Sequence, residues 1–179
     1  QVQQGSGSFT GSSTVIASGN SGKIYDPGTY SIIGAMGVFD TTSPQTPDGT
    51  SQTQYAIGMD MKIESGSLAQ WILSQENTGY SVTPNVYLQF AANNSIQYTT
   101  NGGSSFKPTG KTWPNSTTFQ FVCIMTNASH AKISVDGGSS FSEPFQACTP
   151  WTSTIKEFKF YTGNAFACTA YIDDMKASW

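Results

Sequence analysis

The chain has 179 residues, the length of one domain, and 11% of them are charged, against about 25% in typical soluble domains. All eight basic residues are Lys, no Arg occurs, and the formal net charge is -3. This excludes a basic nucleic-acid reader and argues against sites that grip phosphate, sulfate or uronate with guanidinium forks. The 37% hydrophobic and 13% aromatic residues fall in regular, interrupted runs, unlike a disordered chain. No apolar run approaches the ~20 residues that span a bilayer, so no membrane span is expected.

In chain order, the Gly/Ser-rich start (Gly5–Gly11) reads as a frayed or edge segment. Thr14–Ala17 and Tyr30–Ile33 are candidate strands, and Asp40–Gln54 is the longest unpatterned stretch. From Tyr55 to Glu64, Tyr55, Ile57, Met59, Met61 and Ile63 alternate with Ala56, Gly58, Asp60, Lys62 and Glu64. That period of two marks a half-buried strand. Ala69–Ser74 follows. Val86, Leu88 and Phe90 then alternate with Tyr87 and Gln89, and Ile96 and Tyr98 flank Gln97. Phe119–Met125, Lys132–Asp136, the Phe158/Phe160 run flanked by Glu157, Lys159 and Tyr161, and Ala167–Lys176 complete the strands. No stretch of ten or more residues carries a helical repeat. Turns fall at Asp26-Pro27-Gly28, Pro47-Asp48-Gly49, Asn101-Gly102-Gly103 and Asp136-Gly137-Gly138, where Gly supplies positive φ. Short strands spaced by such turns predict an all-β sandwich or barrel, one domain over 1–179.

Gly102-Gly103-Ser104-Ser105-Phe106 recurs as Gly137-Gly138-Ser139-Ser140-Phe141. The echo reads either as a pair of similar hairpins or as two ligand-touching loops at one end of the fold. Cys123, Cys148 and Cys168 have no CxxC spacing. They give either a Cys148–Cys168 disulfide, closing a loop over one strand, or free thiols. Sequons stand at Asn93, Asn115 and Asn127.

Much catalytic chemistry is missing. The single histidine, His130, rules out a His-rich metal site and an HExxH helix, and it is expected in a turn. No GxSxG, GxGxxG or P-loop occurs. Glycoside hydrolysis needs only two carboxyl groups, but Asp60 and Glu64 sit about 13 Å apart along one strand at ~3.3 Å per residue. Lys62 stands between them, so a solvated charge triplet is the simpler reading. A catalytic pair across two strands, for example Asp60 with Glu76, is the enzymatic alternative.

Sugar recognition needs aromatic faces and neutral polar groups rather than charge. Tyr87, Gln89 and Gln97 are expected on one outward face, joined by Gln70, Asp60 and Lys62. That face is either a sugar-binding sheet or an ordinary solvated one. Trp71 reads as core. Trp113 and Trp151, beside Pro114 and Pro150, are candidate stacking platforms. Asp173-Asp174, with loops around Asp26, Asp40 and Asp48, could hold a structural calcium.

Ile155–Gly163 followed by Ala170-Tyr171-Ile172-Asp173-Asp174-Met175-Lys176 resembles the closing strands of concanavalin A-like (laminin G-like) jelly rolls and of β-sandwich carbohydrate-binding modules. Lys132-Ile133-Ser134-Val135-Asp136-Gly137 is similar to a hairpin of the same group. The resemblance covers about a third of the chain. It implies a two-sheet antiparallel jelly-roll sandwich, in which an Asp of the closing strand can bind structural calcium. The resulting expectation is a secreted or cell-surface, lectin-like module that binds a neutral polysaccharide without catalysis and is appended to other extracellular domains. The alternatives are a small jelly-roll glycoside hydrolase or lyase, and a structural or adhesive extracellular domain.

Overall fold

A computed structural model describes residues 2–4, 8–12, 21–28, 32–38, 55–74, 84–150, 157–162 and 166–178. One sheet runs β1 (Val2–Gln4), β4 (Ile32–Val38), β13 (Glu157–Thr162), β6 (Ala69–Ser74), β7 (Val86–Phe90), β8 (Ser95–Tyr98), β9 (Lys107–Thr112). The second runs β12 (Phe145–Gln146), β11 (His130–Ser134), β10 (Phe119–Asn127), β5 (Tyr55–Ile63), β14 (Ala167–Ser178), β3 (Ser21–Pro27), β2 (Ser8–Ser12). Neighbouring strands pair antiparallel, and no described helix is long and apolar enough to cross a membrane. The expected two-sheet all-β sandwich is the architecture found.

The alternation seen in the sequence builds the core. Ile57, Met59, Met61 and Ile63 of β5 and Phe119, Phe121, Cys123 and Met125 of β10 face inward. They meet Trp71, Leu73, Leu88, Phe90, Phe158 and Phe160 from the first sheet. Across the gap, the Trp71 ring stands edge-on to Phe121 at 5.1 Å and 70°. Phe90 packs edge-on against Phe121 at 5.4 Å and Phe160 at 6.0 Å. Each fully buried large side chain stabilises the fold by about 1.5–3 kcal/mol relative to exposure. A one-residue slip would turn all of them outward, so the core fixes the register.

The sandwich has two ends. At one, Thr162, Ala69, Phe90 and Ile96 lie side by side, and the Thr162 hydroxyl donates to Asp26 Oδ2 at 2.7 Å, tying the sheets together. At the other end stand Ser74 and Asn85, whose N–H donates to the Leu73 carbonyl at 2.8 Å. Cys168 lies at the Thr162 end, paired with Asp26. Cys148 lies at the Ser74 end, its N–H donating to the Asn85 carbonyl at 2.8 Å. The length of β13 separates them, about 16 Å at ~3.3 Å per residue, far beyond disulfide reach. The expected Cys148–Cys168 disulfide is therefore not formed, and all three thiols are free.

Several strands carry no alternating signal. In β9 only Thr109 is buried, because an edge strand needs backbone pairing but little apolar surface. The Tyr30–Ile33 candidate becomes a strand that starts at Ile32 and continues to Val38. Thr14–Ala17 and Asp40–Gln54 lie outside the described residues.

Candidate functional site

The outward face of the first sheet carries a continuous polar row. Tyr161 on β13 pairs with Gln70 on β6, Gln70 with Gln89 on β7, and Gln89 with Gln97 on β8. Their neighbours Phe160, Trp71, Leu88 and Ile96 point into the core, which sends this row outward. Four side chains across three strand spacings of ~4.8 Å make a row about 14 Å long. All four are half-buried. Gln97 Nε2 donates to Ser95 Oγ at 3.0 Å, whereas the Gln70 and Gln89 amides make no hydrogen bond among the described residues. Each of those amides therefore offers two donors and an acceptor to a ligand.

Beside this row lies a second, in which Lys159, Ile72 and Tyr87 are cross-strand neighbours. Ile72 is 5% and Lys159 6% exposed, so the Ser74 half of the face is closed while the glutamine half is open. Tyr87 stands at the boundary. Its ring meets Phe106 edge-on at 5.5 Å. Burial pushes the Tyr87 and Tyr161 phenols above the ordinary tyrosine value. The row thus offers neutral donors and acceptors beside an aromatic ring. The one described cation here, Lys159, is buried.

Other sequence candidates fall elsewhere. Asp60 does not join this face: it lies on the outer face of the second sheet, between Gln120 and Asp173, because β5 belongs to that sheet. There Lys62 Nζ and Glu64 Oε1 form a 2.8 Å ion pair, as the charge-triplet reading expected. Hydrogen bonds from Lys62 and Ser116 hold the Glu64 carboxyl below its ordinary range.

Trp113 is not an exposed platform. It is 1% exposed, and its indole N–H donates to the Ala91 carbonyl at 3.2 Å, because the chain turns into the core after β9. Trp71 is core, as expected. Trp151 and Glu76 lie outside the described residues. A β-bulge lies between Asp173 and Lys176, and within it Asp174 has φ 45°. Asp26 is distant from them at the Thr162 end, donated to by Thr162 and by the Gly28 N–H. Among the described residues no group of three or more His, Cys, Asp or Glu converges.

The two echoing loops share one construction. In Thr99–Phe106, Asn101 Oδ1 accepts from Thr99 Oγ1 at 2.7 Å and from the Ser105 N–H at 3.1 Å. In Ser134–Phe141, Asp136 Oδ1 accepts from Ser134 Oγ and from the Ser140 N–H at 2.9 Å. The glycine pairs have the same φ values, 69° and 95°. The loops nevertheless sit at opposite ends. The first contacts Cys148 at the Ser74 end, and Ser140 of the second accepts from Lys111 Nζ at 2.9 Å toward the Thr162 end. The reading of two loops gathered at one ligand is overturned, and the similar-hairpin reading holds.

Tyr161 was not among the sequence candidates, although its alternation with Phe160 would have placed it on the face opposite the core. The echo is eight residues long rather than five once Thr99/Ser134 and Asn101/Asp136 are aligned by their hydrogen bonds.

No family model matches the chain, and no curated protein sequence matches it. Solved structures do match in fold. A sialidase aligns with TM-score 0.65 at 13% identity over 90% of this chain, which spans only 16% of that sialidase. Carbohydrate-binding module CBM66 from Bacillus subtilis aligns with TM-score 0.51 at 11% identity, covering 97% of this chain and 94% of its own. Galectin LEC-6 from Caenorhabditis elegans aligns with TM-score 0.50 at 11% identity, covering 85% and 96%. The chain has the jelly-roll sandwich of such carbohydrate-binding modules, a likeness of fold.

Proposed function

We propose that this sandwich binds a neutral glycan, without catalysis, on the outward face of its first sheet. The carrying observation is the in-register row Tyr161–Gln70–Gln89–Gln97, bordered by Tyr87. Amides and phenols match sugar hydroxyls as donors and acceptors, and the half-buried Tyr87 stands beside them. The row holds no ionised group, which favours uncharged sugars over uronates or sulfated chains. The fold neighbours described as a carbohydrate-binding module and a galectin support the same reading. A secreted or cell-surface setting is part of the proposal, supported by the exposure of the sequon residues Asn93, Asn115 and Asn127.

Affinity electrophoresis through gels containing glucan, xylan or mannan tests it. Retardation by at least one of these, and none by a polyuronate, is the expected result. Unretarded migration in all of the neutral gels would contradict the proposal.

A further inference from the structure

Tyr87 is held from the Ser74 side by the loop Thr99–Phe106, and one side chain closes that loop. The Asn101 carboxamide accepts from Thr99 Oγ1 at 2.7 Å and from the Ser105 N–H at 3.1 Å, and its Nδ2 donates to Ser105 Oγ at 3.0 Å. Thr99, 1% exposed, also accepts from the Asn101 and Gly103 N–H groups, each at 3.2 Å, and its own N–H donates to the Tyr87 carbonyl at 3.2 Å. The closed loop brings Gly103 so near that a Cβ there would stand 3.1 Å from Tyr87 Cε1. It also sets Phe106 edge-on to the same ring.

We propose that Asn101 is a positioning residue for the glycan-binding face. By closing this loop it holds the Tyr87 ring and hydroxyl beside the glutamine row. The proposal rests on the glycan-binding reading of that face.

The molecule supplies its own control. The loop Ser134–Phe141 has the same turn, built on Asp136, but lies at the other end and packs on Gln120 and Lys132 instead of Tyr87. It also shows that a carboxylate can close this turn: Ser140 Oγ donates to Asp136 Oδ2 where Ser105 Oγ accepts from Asn101. Asn101→Asp should therefore retain the turn, and Asn101→Ala should lose it.

The experiment compares the full chain with its Asn101→Ala, Asn101→Asp and Asp136→Ala variants in two assays. One is calorimetric titration with cellohexaose, xylohexaose and mannohexaose. The other is nitration of Tyr87 by tetranitromethane, read by peptide mass spectrometry. In Asn101→Ala, Tyr87 nitration should rise about threefold and binding weaken about tenfold, as for loss of hydrogen bonds that hold a contact group. Asn101→Asp should stay within about twofold of the parent chain in both assays, because the carboxylate preserves the acceptor. Asp136→Ala should lower the melting temperature and change neither readout. Unchanged nitration in Asn101→Ala would overturn the proposal, as would an equal rise in Asp136→Ala. If the parent chain binds none of the three oligosaccharides, the glycan reading is at fault, and the nitration assay still decides whether Asn101 positions Tyr87.

Discussion

At the scale of single residues, burial separates the tryptophans from the glutamines. Trp113 is enclosed and its indole N–H is satisfied, so Trp113→Ala should cost about 3–5 kcal/mol, measured by urea unfolding. Gln89 is half-buried at the centre of the row, and its amide makes no hydrogen bond among the described residues. Gln89→Ala should leave the melting temperature unchanged and weaken glycan binding by about 1 kcal/mol, the net worth of a typical hydrogen bond. The site has a defined pH response. Glutamine does not titrate, and both tyrosines ionise above their ordinary value of 10.0. Titrations should give one binding constant from neutral pH up to that value. Tyr161 and the buried Cys168, whose thiol is pushed from 9.0 to about 12, favour the protonated fold. Because folding raises these values, their stabilisation is complete below the unfolded-state values and is lost as pH climbs through the folded ones.

At the scale of elements, the turns and the pairing register matter most. Gly137 has φ 69°, and a Cβ there would lie 2.5 Å from Gln120 Oε1, whereas Gly66 at φ 75° has open space around it. Because the Gln120 oxygen is the far end of an exposed, flexible side chain that can swing aside, Gly137→Ala should cost about as much as Gly66→Ala, the backbone strain of about 1–3 kcal/mol. Paired denaturant melts give the comparison directly. The same scale shows how much was legible in advance. Alternation in β5, β7 and β10 identified the inward residues because each strand buries one face. It placed Gln89 and Gln97 outward for the same reason. It could not say which sheet a strand joins, since pairing partners are set by distant parts of the chain. Asp60 was thus grouped with Gln70, although β5 and β6 lie in different sheets. Likewise, β9 passed unseen because an edge strand reading Lys-Pro-Thr-Gly-Lys-Thr buries a single side chain. Trp113 misled because a proline neighbour marks a turn but not whether the next ring points in or out.

At the scale of the whole molecule, the low charge becomes a property of surfaces. Amides and phenols occupy the outward row of the first sheet, and the Lys62–Glu64 ion pair lies on the second sheet. Binding through neutral groups should be insensitive to ionic strength, because screening acts on charges. The central claim is that the glutamine row forms the binding surface. Its most direct test is affinity electrophoresis, in a gel of the neutral glycan that retards the parent chain, of the combined variant Gln70→Ala, Gln89→Ala, Gln97→Ala. The variant is expected to keep the parent melting temperature and to migrate unretarded. A variant that folds and is retarded as strongly as the parent chain would contradict the claim.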